Sequence, residues 1–189
     1  MAPLTAREIE RIGFAGVGSN VTISDRCSIY GADRIRLGDH VRIDDFAVIT
    51  AREPVEIGSY VHVSAFAFLS GQFGLRLEDF VNVSVRATLL SGNDDYSGQW
   101  LPGALIPEPL RHADGKRIHL ARHSMVGAHS VVLPGADLGE GAVVGALSLV
   151  KDPLAPWGIY AGVPARLVRP RERTLLTLVA RLTAPEPQP

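Results

Sequence analysis

A chain of 189 residues with a formal net charge of −1 supports one domain with a substantial core and offers no basic field for nucleic acid. Aromatic residues make up 6% against 46% hydrophobic residues, which suits a narrow core of stacked aliphatic side chains with little room for rings. The single cysteine, Cys27, excludes an internal disulfide, no apolar run is long enough to cross a membrane, and the first 20 residues lack a signal pattern, so a cytoplasmic protein without membrane insertion is expected.

In chain order, residues 4–12 (Leu-Thr-Ala-Arg-Glu-Ile-Glu-Arg-Ile) are predicted to form a short helix capping the next element. From there Leu, Ile and Val fall on one ruler: Val17, Ile23, Ile29; Leu37, Ile43, Ile49; Ile57, Val63, Leu69; Leu77, Val83, Leu89; Leu120, Val126, Val132; Leu138, Val144, Val150. Steps of six dominate, with a step of eight after every third mark in the first groups and one jump of 31. A helix repeats near 3.6 and a strand near 2, so a period of six fits neither alone. It fits a short strand plus a corner, three of which close one triangular turn of a solenoid. Each mark then points inward and stacks on its counterpart one turn later, roughly 4.8 Å away. A second track of small or β-branched residues, among them Val41, Ala47, Val61, Ala67, Ser124, Ser130 and Ser148, fills the corners, and Cys27 on that track reads as a packed structural thiol. Glycine follows the mark at Gly18, Gly38, Gly58, Gly127, Gly139 and Gly145, where a sharp backbone turn gains from the absence of Cβ.

Between Leu89 and Leu120 the ruler breaks, and a loop of roughly 25 extra residues (91–117) begins at Ser-Gly-Asn-Asp-Asp-Tyr-Ser-Gly; loops that long in a compact fold are usually functional. Residues 171–182 read as an amphipathic helix and the closing Ala-Pro-Glu-Pro-Gln-Pro as a disordered tail.

Three stretches carry a resemblance: Gly-Ala-His-Ser-Val-Val-Leu-Pro-Gly (127–135), Val-Gly-Ala (144–146) and Pro-Trp-Gly-Ile-Tyr-Ala-Gly-Val-Pro-Ala-Arg-Leu-Val-Arg (156–169). They resemble the coenzyme A-binding half of the hexapeptide-repeat acetyltransferases that act on sugars and related small acceptors. The resemblance implies an all-β fold, a left-handed parallel β-helix of about six triangular coils with one long loop and a C-terminal helix. Residues 1–170 would form the acyltransferase domain and 171–189 the helix and tail. It also implies a homotrimer with sites between subunits, acetyl-CoA as co-substrate and no metal. The acceptor would be a hydroxyl or amine of a sugar or nucleotide-sugar, in surface polysaccharide biosynthesis. Pantetheine would meet the backbone at Ala128 and Ala146, and the phosphates would meet Arg166 and Arg169, with Lys151 near the adenine end; the plain alternative is that these cations are solvated surface charges.

Many members place a histidine at the start of the long loop as general base, and the matching position here is Asp94. The loop resembles a subset of envelope-polysaccharide and sugar acetyltransferases with Ser-Asp-Asp-Tyr-Ser-Gly at this point. An ordinary carboxylate, with a pKa of about 3.9, is a poor base for a sugar hydroxyl, whereas a neutral amine attacks a thioester unaided. His62 is a second candidate base, because it precedes the inward Val63 and so points outward, either into a groove between subunits or simply to solvent. Asn82 shares its phase one turn on. Asp95 is a further catalytic candidate, and with Asn93 and Tyr96 it would contact the acceptor, unless an Asx turn merely shapes the loop there. Two other readings remain: a non-catalytic scaffold or ligand-binding protein, kept alive by the missing loop histidine, and a γ-class carbonic anhydrase-like zinc enzyme using His112, His119, His123 or His129. The spacing of His119 and His123 does not bring them to one face of a strand with period six.

Overall fold

The computed structural model describes residues 2–184. Its backbone winds into a three-sided column of parallel strands, and every mark of the ruler takes its place on one of three inward columns. The first face stacks Gly16–Val17, Ile35–Leu37, Val55–Ile57, Leu75–Leu77 and Ile118–Leu120, and aligns Val17, Leu37, Ile57, Leu77 and Leu120, extended by bridges to Leu138 and Leu154. The second aligns Ile23, Ile43, Val63, Val83, Val126, Val144 and Tyr160. The third aligns Ile29, Ile49, Leu69, Leu89, Val132 and Val150. All marks but Val17 and Ile29, in the first coil, are buried.

Two features depart from expectation. The column has about seven turns rather than six: Leu154 and Tyr160 add a partial seventh. That turn lies off the ruler because its corner is short, with Leu154 only four residues past Val150. The glycines after the marks also serve another purpose than turning. Gly38, Gly58, Gly127 and Gly139 have ordinary negative φ, and a Cβ on any of them would run into the backbone of the next coil, as at Gly58, where it would lie 2.8 Å from Asp79 N. The left-handed positions of this corner fall mostly to side chains, His40, Tyr60, Phe80, His123 and Trp157, with Gly141 between the last two, and all have positive φ. Their rings form a stack, with centroids 4.5 Å apart for His40 and Tyr60, 4.9 Å for Tyr60 and Phe80 and 5.0 Å for Phe80 and His123.

A helix precedes the column and another follows it, as the sequence suggests, with altered limits. Helix α1 spans Ala6–Ile12, opened by a capping box between Thr5 and Glu8 and closed at Gly13, whose φ is 77°. Helix α2 covers Leu175–Leu182 only. Residues Arg166–Pro170 form instead a strand returning antiparallel along Gly158–Ala161. Arg171 then donates from Nη1 to the carbonyls of His123 (2.7 Å) and Gly141 (2.9 Å), which pins the chain to the column and delays the helix. The expected tail, beyond Ala184, lies outside the described residues.

Candidate active site

The long loop leaves the third face at Ser91 and returns at Lys116. Its base is an antiparallel pair, Gly92–Asp94 with Ala113–Gly115, resting on Phe73, whose ring leaves no room for a Cβ at Gly92 or Gly115. Ser91 locks this base by donating from Oγ to Ser70 O (2.7 Å) and accepting from Phe73 N (2.9 Å). Asn93 faces Asp114 across the pair.

Asp94 sits where the loop departs. One carboxylate oxygen accepts from Gly103 N at 3.1 Å, and the side chain lines a cleft of about 190 Å³ with Arg52, Gln72, Glu108, Arg111 and His112. Asp95 is different. Its carboxylate accepts from Ser97 N and Oγ (3.2 and 2.7 Å), Gly98 N (2.9 Å) and Trp100 N (3.3 Å), and the Ser97 hydroxyl, first among these, holds its pKa below the usual carboxylate range. All four donors belong to the loop itself, so Asp95 makes an Asx-type turn, the alternative the sequence left open, and its carboxylate is engaged in shaping the loop. Tyr96 projects from this turn almost fully into solvent.

His62 lies on another face. It is in register with Arg42 and Asn82 on the outer surface of the second sheet, so the expected stacking of Asn82 over His62 holds. Its Nε2 lies 2.8 Å from Asp44 Oδ2, and Arg42 Nε donates to Asp44 Oδ1 at 2.7 Å. Burial pushes the Asp44 carboxyl up, but the hydrogen bonds from His62 and Arg42 together outweigh it and hold the pKa low. Ser84 follows Asn82 in the same outward set, 3.4 Å from its Oδ1. The sequence pattern singles out neither Asp44 nor Ser84, although both stand two residues after an outward polar position of one column. Within one chain, Asp94 and His62 thus occupy separate faces.

The donor side collects at the C-terminal coils. Ala128 and Ala146 stack at the second corner, where Leu147 N donates to Ala128 O at 2.9 Å, and neither alanine N–H has an acceptor among the described residues. Ser148 Oγ receives Gly162 N at 3.0 Å, and Ala165 N donates to Leu149 O, which draws Arg166 toward the coil that ends at Lys151. Arg166 and Arg169 are exposed and pair in register with Ala161 and Ile159 on the terminal strand. Lys151 is held by Asp152 at 3.1 Å. The histidines weighed for zinc are dispersed: His119 pairs with Glu78, His112 with Asp114, His123 lies in the ring stack and His129 on the other corner. Among the described residues no group of three or more His, Cys, Asp or Glu could hold a metal, and no helix is long and apolar enough to cross a membrane.

Comparison with known proteins places this arrangement. The chain is 36% identical over 179 residues to a dTDP-4-amino-4,6-dideoxy-D-glucose acyltransferase of Escherichia coli, covering 94% of this chain and 93% of that protein. The chain belongs to the hexapeptide-repeat acyltransferases. It is a CoA-dependent acyltransferase, which removes the scaffold and anhydrase readings. No family model matches it. The structure superposes with a TM-score of 0.91 on AntD, an N-acyltransferase from Bacillus cereus solved with dTDP and 3-hydroxybutyryl-CoA, at 39% identity over 96% of this chain and 97% of that one. AntD has also been solved as its D94A, D94N, S84A, S84C and S84T mutants, some with dTDP-4-amino-4,6-dideoxyglucose and coenzyme A. A Vibrio cholerae hexapeptide-repeat acetyltransferase, 20% identical, covers 88% of this chain and 79% of its own with a TM-score of 0.59, and shares the fold. A superposition as close as that on AntD requires one hand, so the coil is left-handed like those of the family.

Proposed function

We propose that the chain transfers a short acyl group from a CoA thioester to the 4-amine of a dTDP-linked 4-amino-4,6-dideoxy sugar, at sites between the subunits of a homotrimer. The near full-length similarity to an acyltransferase named for that acceptor carries this reading. Ser84 and Asp94 support it: AntD, a chain matched almost end to end, has been altered at residues of the same type and number.

In this mechanism the neutral amine attacks the thioester carbon directly. The C–N bond forms, the C–S bond breaks, and the proton shed by nitrogen ends on the departing sulfur. The free oxygen of Asp94 accepts an N–H of the amine and aims its lone pair, a task that asks less of a carboxylate than deprotonating a hydroxyl would. Donor atoms lie along the second corner: the alanine N–H groups at 128 and 146 hold the pantetheine amide oxygens, and Arg166, Arg169 and Lys151 meet the phosphates. Ser84 and Asn82, with His62 below them, line the thioester end, and a loop from one subunit brings Asp94 to the second face of its neighbour. This joins faces that one chain keeps apart. Asn93 and Tyr96 flank the acceptor.

The test is thiol release from acetyl-CoA and 3-hydroxybutyryl-CoA with dTDP-4-amino-4,6-dideoxyglucose as acceptor, beside dTDP-glucose, which carries a hydroxyl in place of the amine. Release with the amino sugar alone is expected. Equal release with dTDP-glucose, or none with either, overturns the reading, and light scattering that reports a monomer overturns the trimeric site.

A further inference from the structure

We infer that the cleft beside Asp94 is a diphosphate site, in which Arg52 and Arg111 take the phosphate groups of the nucleotide-linked acceptor while Asp94 takes its amine. The inference rests on the acceptor reading above and assigns to it two residues that no comparison names.

Three observations carry it. First, the cleft gathers cations from distant parts of the chain. Arg52 comes from the third corner of the second coil and Arg111 from the returning arm of the loop, and both line the same space as Asp94. Second, these cations are left underused. Among the described residues Arg52 has no carboxylate partner, and Arg34 Nη1, donating to the Arg52 carbonyl at 3.0 Å, brings another guanidinium beside it. Among the same residues Arg111 has one carboxylate partner, Glu108, at 3.6 Å. The Glu108 side chain is 83% exposed while that of Arg111 is only 24% exposed, so the arginine is held in place by its packing and the glutamate is free to leave. An exposed pair of that length contributes little, and a doubly charged ligand accepting fork-like hydrogen bonds displaces it.

Third, the spacing suits a bipolar ligand. Arg52 N donates to Gly71 O, and Gln72 lies against Gly92 of the loop base, so Arg52, Gln72 and the hairpin of Asp94 stand on successive rungs. Two strand spacings, about 10 Å, separate the ends. A 4-amino sugar carries its amine at C4 and its diphosphate at C1, across the ring. With Asp94 on the hairpin and Arg52 two rungs below, the ring lies between them and Gln72 faces its hydroxyls, while Arg111, two residues before the Ala113 that pairs with Asp94, closes the cleft from the returning arm of the loop.

The experiment uses the full chain, with dTDP itself as the calorimetric probe and dTDP-4-amino-4,6-dideoxyglucose as the kinetic substrate. Arg52→Gln and Arg111→Gln should each weaken dTDP binding about tenfold or more and raise the KM for the amino sugar similarly, with kcat and CoA affinity changed less than twofold. Glu108→Gln, which removes the competing carboxylate, should leave dTDP affinity unchanged or tighter. It also separates ligand binding from loop integrity, because a merely structural Arg111–Glu108 contact would make both partners equally damaging. Wild-type dTDP affinity in both arginine variants, beside a wild-type protein that does bind dTDP, overturns this assignment and leaves the acceptor reading intact. A wild-type protein that binds no dTDP overturns both.

Discussion

Gly58 and Gly145 occupy the same place in the hexad, each following an inward mark, yet the structure separates them. A Cβ at Gly58 would lie 2.6 Å from Asp79 Oδ1, 2.8 Å from Asp79 N and 2.9 Å from Glu78 C, two of them backbone atoms of the next coil. At Gly145 the nearest atom would be Ala161 Cβ at 3.3 Å, and neither glycine has positive φ. Gly58→Ala must therefore push successive coils apart, straining the Gly58 N to Leu77 O bond (2.8 Å) and the Ser59 N to Asp79 Oδ1 bond (2.9 Å). Overpacking of this kind costs about 1–3 kcal/mol and a weakened hydrogen bond to a carboxylate adds roughly 1 kcal/mol, so about 2–4 kcal/mol is expected. For a chain of this size that lowers Tm by roughly 5–15 °C. Gly145→Ala, needing its neighbour to give by a few tenths of an ångström, should cost less than about 1 kcal/mol. Differential scanning calorimetry at one fixed protein concentration measures both. Equal Tm losses would refute the claim that the glycines are there for the spacing between coils and return them to the role of turn residues.

Ser124 Oγ is buried without a partner among the described residues, so Ser124→Ala should leave stability unchanged or raise it by up to about 1–3 kcal/mol, read as an unchanged or higher Tm, and a clear loss would show that the hydroxyl is bonded. Burial, the largest influence, pushes the His123 imidazole pKa down. The unfolded chain then binds more protons below its ordinary value of about 6.5, so this contribution is full above that pH and is lost as pH falls through it toward the lower folded value. His123→Phe, which keeps a ring in the stack at a backbone conformation Phe80 already adopts, should flatten the pH dependence of denaturation midpoints on the acid side of about pH 6.5, and an unchanged slope refutes it. Asp94→Ala should cut kcat strongly with CoA affinity little changed; an unaltered rate removes Asp94 from the chemistry. Arg166→Ala should weaken CoA binding in calorimetry more than it slows turnover, since among the described residues its guanidinium meets only the neighbouring Ala165 carbonyl, which leaves it donors for phosphate.

The inward columns were legible in the chain because burial repeats. A side chain that must stack on its counterpart each turn leaves the same residue type at the same step, and only Val17 and Ile29, in the first coil, escape burial. Asp94 was legible through the ruler's one long break. The seventh turn was not, because a four-residue corner falls off the ruler, and neither was the start of α2, because the hydrogen bonds of Arg171 to carbonyls 48 and 30 residues away override a helical pattern. The aromatic residues at left-handed corners likewise carry no local signal; what stabilises them is the ring one coil above and below. Asp95 and Asp94, adjacent and chemically identical, part company only in three dimensions, one spent on loop amides and the other open to a cleft. That cleft joins Arg52 to Arg111, 59 positions apart, and no spacing rule reaches across an excursion whose path is set by tertiary contacts. Periodic burial writes a solenoid into its sequence, whereas a site made where one loop folds back on a corner exists only once the column has formed.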